Sequence, residues 1–550
     1  MNSLKIISLA GFGNVTNNMF VYETDEDIVI VDCGLGFPTE EMRGVDLLVP
    51  DVSYLETRKQ KIRGLVLSHG HEDHIGALPY VLPKLKGIPV YGSRWALALV
   101  KEKIAEHNLS ANLHEISQGQ KITLGKFTIE FVEVTHSIPE TMHLAITTPF
   151  GLFYHAADFK LDLTPVNEKP TDQNLVAEIG RRGVQCLLSD CLRAERPGFT
   201  PSETKLEEMF EREIKNCKGK FWVTTMSSNI SRFKQAIEVA QRHNRKVVLV
   251  GRSVEGNVTQ ALKLGYLKFP KELFLSVKEA KRYPSSGLAV LVSGSQGQSG
   301  SALDKIVLGE REMKIEKGDK IVFSTDTIPG NELAIYSLID MILLQGADVS
   351  YADITSDIHV SGHGASSDLK KLIELIKPKY LLPIGGNYRH MVAYKKIALG
   401  LGYQEDKIIM PYDGQVVEFT DRDQVNLNGK IEAKTIMIDA LGVGDVGNVV
   451  LRDREILSKE GIVLVVIPLD QLSFKLVSEP MIVTRGFVYV RESEDLLKET
   501  KVQIGIILGK WFNKKADVRL VTRELQETLE KFFFTKTGRR PMVLTQVIKV

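Results

Sequence analysis

The chain reads as an α/β protein built from several domains. Its 550 residues suffice for about three or four domains with large apolar cores. Short β-branched runs repeatedly end in polar clusters and give way to helical periodicity, as where Leu65-Val66-Leu67 runs through Ser68–Asp73 into Ala77, Leu78, Val81 and Leu82. Beyond residue 203, helix-like and strand-like patterns alternate, which calls for a parallel sheet.

Composition narrows the class further. Lys and Arg total 70 against 69 Asp and Glu, a formal net charge of +1, so any nucleic-acid surface must be local. Four cysteines (Cys33, Cys186, Cys191, Cys217) form no C-x-x-C pair and fit buried free thiols in a reducing cytoplasm. The N-terminal residues have no signal-peptide h-region or cleavage site, and no run approaches the roughly twenty apolar residues needed to span a bilayer. The expectation is a soluble cytoplasmic protein with no membrane partner.

Taken in order, residues 5–10, 19–23 and 27–32 read as strands separated by Gly/Asn and Asp-rich turns. Asp32-Cys33-Gly34-Leu35-Gly36 closes the third with an acid and two glycines, which face a site or turn the chain; taken alone it reads as a turn. The stretch Ser68-His69-Gly70-His71-Glu72-Asp73-His74 then packs three imidazoles and the Asp73 carboxylate where a strand turns into a helix. These donors suit zinc or manganese, and Gly70 lets the backbone loop so that they converge. Residues 78–85 and 96–106 read as helices, with a short strand at 89–91.

Two further β-type runs end in donors, Val134-Thr135-His136-Ser137 and Ala156-Ala157-Asp158-Phe159. Strand-end His and Asp often only cap turns, but with the first motif these make a series of strand ends carrying metal-type ligands. Asp158 has two oxygens with which to bridge a pair of ions, whereas His143 and His155 read as structural. Leu187-Leu188-Ser189-Asp190 is another strand end with an acid, and Arg193–Gly198 punctuates a domain boundary.

From 203 the pattern is helix 203–215, strand 220–224, helix 230–243, strand 246–250, then strands 288–292 and 320–324. Ser227-Ser228-Asn229 and the similar polar loops at other strand ends either offer backbone N–H groups to phosphate or simply cap helices. His359-Val360-Ser361-Gly362-His363 sets two histidines four apart around a Ser-Gly turn, where both imidazoles can meet one anion, ahead of a helix at 368–377. A buried-type strand at 380–384 runs into Gly385-Gly386-Asn387-Tyr388-Arg389-His390. Gly442-Val443-Gly444-Asp445-Val446-Gly447 reads as a linker. Residues 462–550 read as β-α-β-like, with a strand at 463–468 and helices at 493–510 and 524–535. Their Lys514, Lys515, Arg519, Arg539 and Arg540 are the usual mark of a solvated face and less often of a nucleic-acid contact.

The H-x-H-x-D-H order, strand-end His136 and Asp158, a long insertion and a late histidine loop resemble the beta-CASP branch of the metallo-beta-lactamase superfamily. More closely, the whole chain resembles ribonuclease J: Ala194-Glu195-Arg196-Pro197-Gly198-Phe199-Thr200, Gly294-Ser295-Gln296-Gly297, the His359–His363 loop, residues 442–452 and Arg485-Gly486-Phe487-Val488-Tyr489-Val490-Arg491 all match. The resemblance implies a metallo-beta-lactamase αββα sandwich (1–202 and 356–435), an inserted parallel-sheet beta-CASP domain (203–355), a linker (436–461) and a small α+β C-terminal domain (462–550).

It also implies two divalent metal ions, zinc or manganese. His69, His71 and His136 would hold one, Asp73 and His74 the second, with Asp158 bridging. Asp73, Asp190 and His363 would be catalytic, the last two in proton transfer and phosphate contact. His359, Val360, Ser361, Gly362 and His363 would grip the phosphate backbone, and Ser228 and Asn229 would lie at a 5′-monophosphate pocket. The implied activity is hydrolysis of RNA in 5′-to-3′ exonuclease fashion, often with endonuclease activity, for RNA maturation and decay. The implied assembly is a homodimer or homotetramer through the C-terminal region, with a paralogue or RNA-decay proteins as further partners.

One position departs from the pattern. The family stretch Pro-Val-His-Gly-Glu-Tyr-Arg stands here as Pro383-Ile384-Gly385-Gly386-Asn387-Tyr388-Arg389, so the second ion loses an imidazole. Water fills the gap, His390 or Asn387 reaches in, or the second site is weak. With every other ligand present, the expectation is a working nuclease. Its rivals are a DNA-directed beta-CASP nuclease, against which the C-terminal domain argues, and a weakly active or non-catalytic partner subunit.

Overall fold

The computed structural model describes residues 3–166, 168–421, 424–440, 442–444, 446–470, 473, 475–488, 493–511 and 517–549. Asp445, Tyr489, Val490, Arg491, Lys514 and Lys515, used in the sequence reading, lie outside them. The chain forms two compact units, one of Met1–Gly36 with Val49–Thr435 and one of Phe37–Leu48 with Ile436–Val550.

In the first unit an eight-stranded sheet, containing Leu4–Ala10, Met19–Glu23, Ile28–Val31 and Ile62–Val66, faces a six-stranded sheet that runs from Lys121–Leu124 to Tyr380–Ile384. Strict alternation on the inner faces builds the core between them: Ile6, Tyr22, Val29 and Val31 from one sheet meet Phe131, Leu144, Phe153 and Leu188 from the other. Helices cover the outer faces. Gln173–Arg181, Ser366–Ile376 and Tyr388–Gly400 bury Ile179, Leu372 and Tyr394 against the six-stranded sheet. Arg94–Glu106 lies on the strands Pro89–Gly92 and Asn112–Glu115. This is the four-layer αββα sandwich expected.

The insertion is a six-stranded sheet, parallel throughout, in the order 274–275, 246–250, 288–292, 221–224, 320–323, 348–350. Its strands are apolar on both sides because helices pack on both faces. Helices Lys205–Lys215, Ile230–Arg242 and Arg252–Leu264 cover one face, and Ala302–Val307 with Glu332–Leu344 the other.

Several boundaries move for local reasons. The helix expected at 78–85 stops at Val81, since Pro83 cannot continue it. The helix expected at 524–535 instead spans Val518–Thr537, capped by the Asp517 side chain at one end and by left-handed Gly538 at the other. Parts of the expected linker at 436–461 are regular secondary structure. Thr435–Asp439 is a strand, Asn448–Glu460 a helix, and Met437, Val450 and Leu451 pack on Val45 and Leu48 of the second unit. The apolar Ile436-Met437-Ile438 run and the apolar side of the helix that follows supply the surface that this packing covers.

The second unit also holds a three-stranded sheet of Met481–Arg485, Ile462–Leu469 and Met542–Lys549, with helices Glu494–Gly509 and Val518–Thr537 packed on it through Ile504, Leu525 and Phe533. All four cysteines are free and buried. No helix among the described residues is long and apolar enough to cross a membrane.

Candidate metal centre

Sheet topology explains why donors far apart in sequence meet. Gly151–Ala156 pairs in parallel with Val184–Asp190, which pairs in parallel with Tyr380–Ile384, so Asp158, Asp190 and Gly385 leave the sheet at the same edge. Two antiparallel steps carry Phe127–Val134 back to the same direction and bring His136 there too. In the facing sheet, Ile28–Val31 and Ile62–Val66 are parallel neighbours, which sets Asp32 beside Ser68 and His69.

The donors converge on Asp158, a buried residue. Its Oδ2 lies 3.5 Å from His74 Nε2, 3.6 Å from His69 Nε2, 3.6 Å from His136 Nε2 and 3.8 Å from His363 Nε2. His71 Nδ1 stands 3.1 Å from both His69 Nε2 and His136 Nε2, and Asp73 Oδ2 stands 3.6 Å from His74 Nε2. His69, His71, His136 and Asp158 form one group whose ligand atoms lie within 4.8 Å of one another. Asp73, His74 and Asp158 form a second, and Asp158, Asp190 and His363 a third. Two imidazole nitrogens at 3.1 Å cannot both present lone pairs to each other without a proton or a cation between them. Four imidazoles around a carboxylate are the donor set that zinc and manganese take, so the residues fit such ions.

His69, His74, His136 and His363 are each held by Nδ1, the ring nitrogen that faces away from Asp158. Asp32 accepts the Ser68 N–H at 2.7 Å and the Ser68 hydroxyl at 2.8 Å, and His74 Nδ1 lies 2.8 Å from its Oδ2. Ser68 Oγ is 2.9 Å from His69 Nδ1. His136 Nδ1 donates to the Gly362 carbonyl at 2.7 Å. Nδ1 of His363 sits 2.8 Å from Asp190 Oδ2. Such partners fix the tautomer and aim the other nitrogen inward.

Electrostatics divide these imidazoles. Burial lowers His69 and His136 well below the ordinary histidine range and takes His71 to about 3, leaving them neutral with lone pairs available. Against the same effect of burial, Asp158, Asp73 and Asp32 raise His74, and Asp190 and Asp158 raise His363 to about 9. Burial also pushes Asp158 up, but His363 and His74 hold it well below the usual carboxylate range. Cation binding here would displace protons.

The loop 359–363 divides its duties. Gly362 presses against His136, and Ser361 Oγ accepts the His363 N–H at 3.1 Å. His359 and Val360 face the insertion instead, where buried Arg232 donates to His359 Nδ1 at 2.8 Å, to the Val360 carbonyl at 2.9 Å, to Ser324 O at 2.8 Å and to Glu203 at 2.8 Å. Ser228 and Asn229 open the helix Ile230–Arg242, and the Asn229 side chain is spent on capping it, accepting from the Arg232 N–H at 3.0 Å. Neither joins the donor cluster. His155 is buried against the Tyr22 hydroxyl at 2.9 Å and His143 against that of Tyr154 at 3.3 Å, outside the cluster.

Asp32 and Arg232 were missed by the sequence reading. An acid closing a strand one position from the turn was a signal for Asp32, though a turn reading absorbed it; Arg232 looks like any helix arginine. Gly385 has φ +64°, and a Cβ there would lie 3.8 Å from the nearest oxygens of both Asp158 and Asp190, so the place of the family imidazole is open. His390 does not enter it. Its Nδ1 accepts the Asn387 N–H at 3.1 Å and its Nε2 lies 3.6 Å from Glu195.

Comparison with known proteins matches the whole chain. Residues 28–208 match the beta-lactamase superfamily domain, 218–342 the ribonuclease J beta-CASP domain, 351–410 the Zn-dependent metallo-hydrolase RNA specificity domain and 449–550 the ribonuclease J C-terminal domain. Ribonuclease J2 of Bacillus subtilis is 39% identical over 100% of this chain and 99% of its own. Ribonuclease J 1 of Streptococcus pyogenes is 36% identical over 100% and 98%, and ribonuclease J 2 of Staphylococcus aureus 34% over the same shares. A crystal structure of an Enterococcus faecalis protein of unknown function shares the fold at TM-score 0.53 and 15% identity, covering 76% of this chain and 100% of that one.

Proposed function

The chain belongs to the ribonuclease J family, and on that premise we propose that it hydrolyses RNA phosphodiester bonds with two divalent ions, zinc or manganese. The mode proposed is 5′-to-3′ exonuclease with endonuclease activity, in RNA maturation and decay, in the cytoplasm. The assembly proposed is a homodimer or homotetramer through the C-terminal region. The domain plan proposed is a hydrolase core (1–202 and 356–435) interrupted by a beta-CASP domain (203–355) and followed by a linker (436–461) and a C-terminal domain (462–550).

What carries this reading is the set of four imidazole Nε2 atoms at 3.5–3.8 Å from one carboxylate oxygen, at the sheet edge beside the 359–363 loop. His69, His71, His136 and Asp158 would hold the first ion, and Asp73, His74 and Asp158 the second. When bound, such ions supply Lewis acidity and a lower pKa for an attacking water. The residues do the rest. Asp32 and Ser68 hold the ring orientations of His74 and His69, the Gly362 carbonyl holds that of His136, and Asp190 holds His363 at the mouth of the cluster. Ser361 and Gly362, with the Ser228–Asn229 helix terminus, would position the phosphate chain, and Arg232 would fix His359 and Val360 so that the loop keeps its shape on substrate binding.

Gly385 favours a second reading, a weakly active partner subunit beside a more active paralogue. Hydrolysis of a 5′-monophosphorylated RNA by wild type, Asp73→Ala and Gly385→His, with manganese, magnesium and zinc in turn, tests both, and the same 5′-phosphorylated sequence as DNA tests substrate class. Stepwise nucleotide release by the wild type, abolished in Asp73→Ala, is the expected result. An inert wild type revived by Gly385→His would establish the partner-subunit reading instead.

A further inference from the structure

We infer that His363, through Nε2, takes the place in the second ion's site that glycine at 385 leaves without an imidazole. The inference rests on the reading of the cluster as a two-ion centre. His363 Nε2 lies 3.8 Å from Asp158 Oδ2, against 3.5–3.6 Å for His69, His74 and His136. It therefore stands in the same shell around the bridging oxygen.

Its anchoring matches that of a ligand. His74 Nδ1 meets Asp32 Oδ2 at 2.8 Å, and His363 Nδ1 meets Asp190 Oδ2 at 2.8 Å. A carboxylate on the outer nitrogen is the arrangement that presents the inner nitrogen's lone pair to a metal. Asp190 is itself fixed, its Oδ1 accepting the Leu192 N–H at 2.8 Å. The backbone of His363 is held at both ends, by Ser361 Oγ on its N–H and by the Thr200 hydroxyl donating to its carbonyl at 2.7 Å. The ring thus has little freedom to swing away.

The space is right as well. Asp158, Asp190 and His363 place ligand atoms within 4.8 Å of one another, and the open position above Gly385 borders the same two carboxylates at 3.8 Å. The neighbouring imidazole of His390 is spent on Asn387 and Glu195. In this chain, then, Asp190 acts as the positioning residue for a ligand, and His363 is not free for the proton transfer that the resemblance gives it.

The test counts metal rather than turnover. The full chain, stripped of metal, is titrated with manganese and followed by electron paramagnetic resonance, with bound metal counted by mass spectrometry, for wild type, His363→Ala, Asp73→Ala and the double variant His363→Ala/Gly385→His. Wild type is expected to hold two equivalents. His363→Ala is expected to keep the first, which also reports that it is folded, and to bind the second more than about 100-fold more weakly, beyond the ~10–100-fold that loss of an outer partner costs. The double variant is expected to regain the second.

Two full-affinity equivalents in His363→Ala, or a double variant that holds the first ion but not the second, would overturn the inference. If wild type still binds two ions and Asp73→Ala loses one, the two-ion reading survives that failure. A wild type holding only one ion overturns both.

Discussion

Adding a single methyl group at position 362 should disable the site proposed for the first ion. Gly362 is in close approach to the six-stranded sheet's edge. A Cβ built there would sit 2.7 Å from His136 Cε1, 2.7 Å from Ser137 Oγ and 2.8 Å from His136 Nδ1. Ordinary carbon contacts are about 3.5–4.0 Å, so either the loop or the ring must yield by roughly 1 Å. The loop has little slack, because Val360 is tied to Arg232 and His363 to Asp190 and Thr200. His136 is the easier part to move. Its Nε2 now stands 3.1 Å from His71 Nδ1 and 3.6 Å from Asp158 Oδ2, and a displacement of about 1 Å far exceeds the ~0.2 Å that a metal–ligand distance tolerates.

Overpacking of this kind costs about 1–3 kcal/mol. Charged to the ion-bound state, that is a fall in affinity for the first ion of between about 5-fold and 150-fold at 1.4 kcal/mol per tenfold. Turnover on 5′-monophosphorylated RNA should drop about 100-fold, as expected for misplacement of a reacting group by 1 Å. The assay is calorimetric metal titration of the stripped Gly362→Ala protein beside a rate measurement. First-ion affinity and turnover both within twofold of wild type would refute the argument that this loop bears on His136.

Two other expectations concern stability. Arg232→Met removes the guanidinium that satisfies Glu203, Ser324 O and Val360 O while leaving Glu203 and Lys160 buried; unfolding in urea, followed by tryptophan fluorescence, should show a loss of about 3–5 kcal/mol. Asp413 is partly buried, accepting from Ser8 Oγ at 2.7 Å and from the Phe12 N–H at 2.8 Å, and burial pushes its carboxyl up from 3.8 to about 6. A raised carboxyl favours folding while protonated, fully so below about pH 4, and that contribution is lost as pH rises through 6. Relative to wild type, Asp413→Asn should therefore gain thermal stability between pH 4 and 7, by at most about 3 kcal/mol; a difference flat across that range would contradict the assignment.

The H-x-H-x-D-H cluster was legible because its chemistry is local: four donors within six residues identify themselves wherever the chain goes. Strand ends at His136, Asp158 and Asp190 were legible for the same reason, since a β-branched run stopping at a polar residue needs no knowledge of its neighbours. The all-parallel insertion followed from helix–strand alternation, which admits few other topologies. Within 436–461 the glycines at 442, 444 and 447 stand among apolar residues whose burial partners, Val45 and Leu48, are some 390 positions earlier, a relation that no local pattern shows.

The amino-acid sequence by itself determined which side chains this protein has for binding a cation and which local elements deliver them, because donor type and periodicity are properties of adjacent residues. Only the tertiary structure decided how they are used. Strand pairing brings residues 32, 158, 190 and 385 to facing sheet edges, Asp32 and Asp190 turn the rings of His74 and His363 inward, and Arg232 ties the 359–363 loop to the insertion. Those relations depend on register and on distances of a few ångströms between segments separated by tens to hundreds of residues, and no local pattern encodes them.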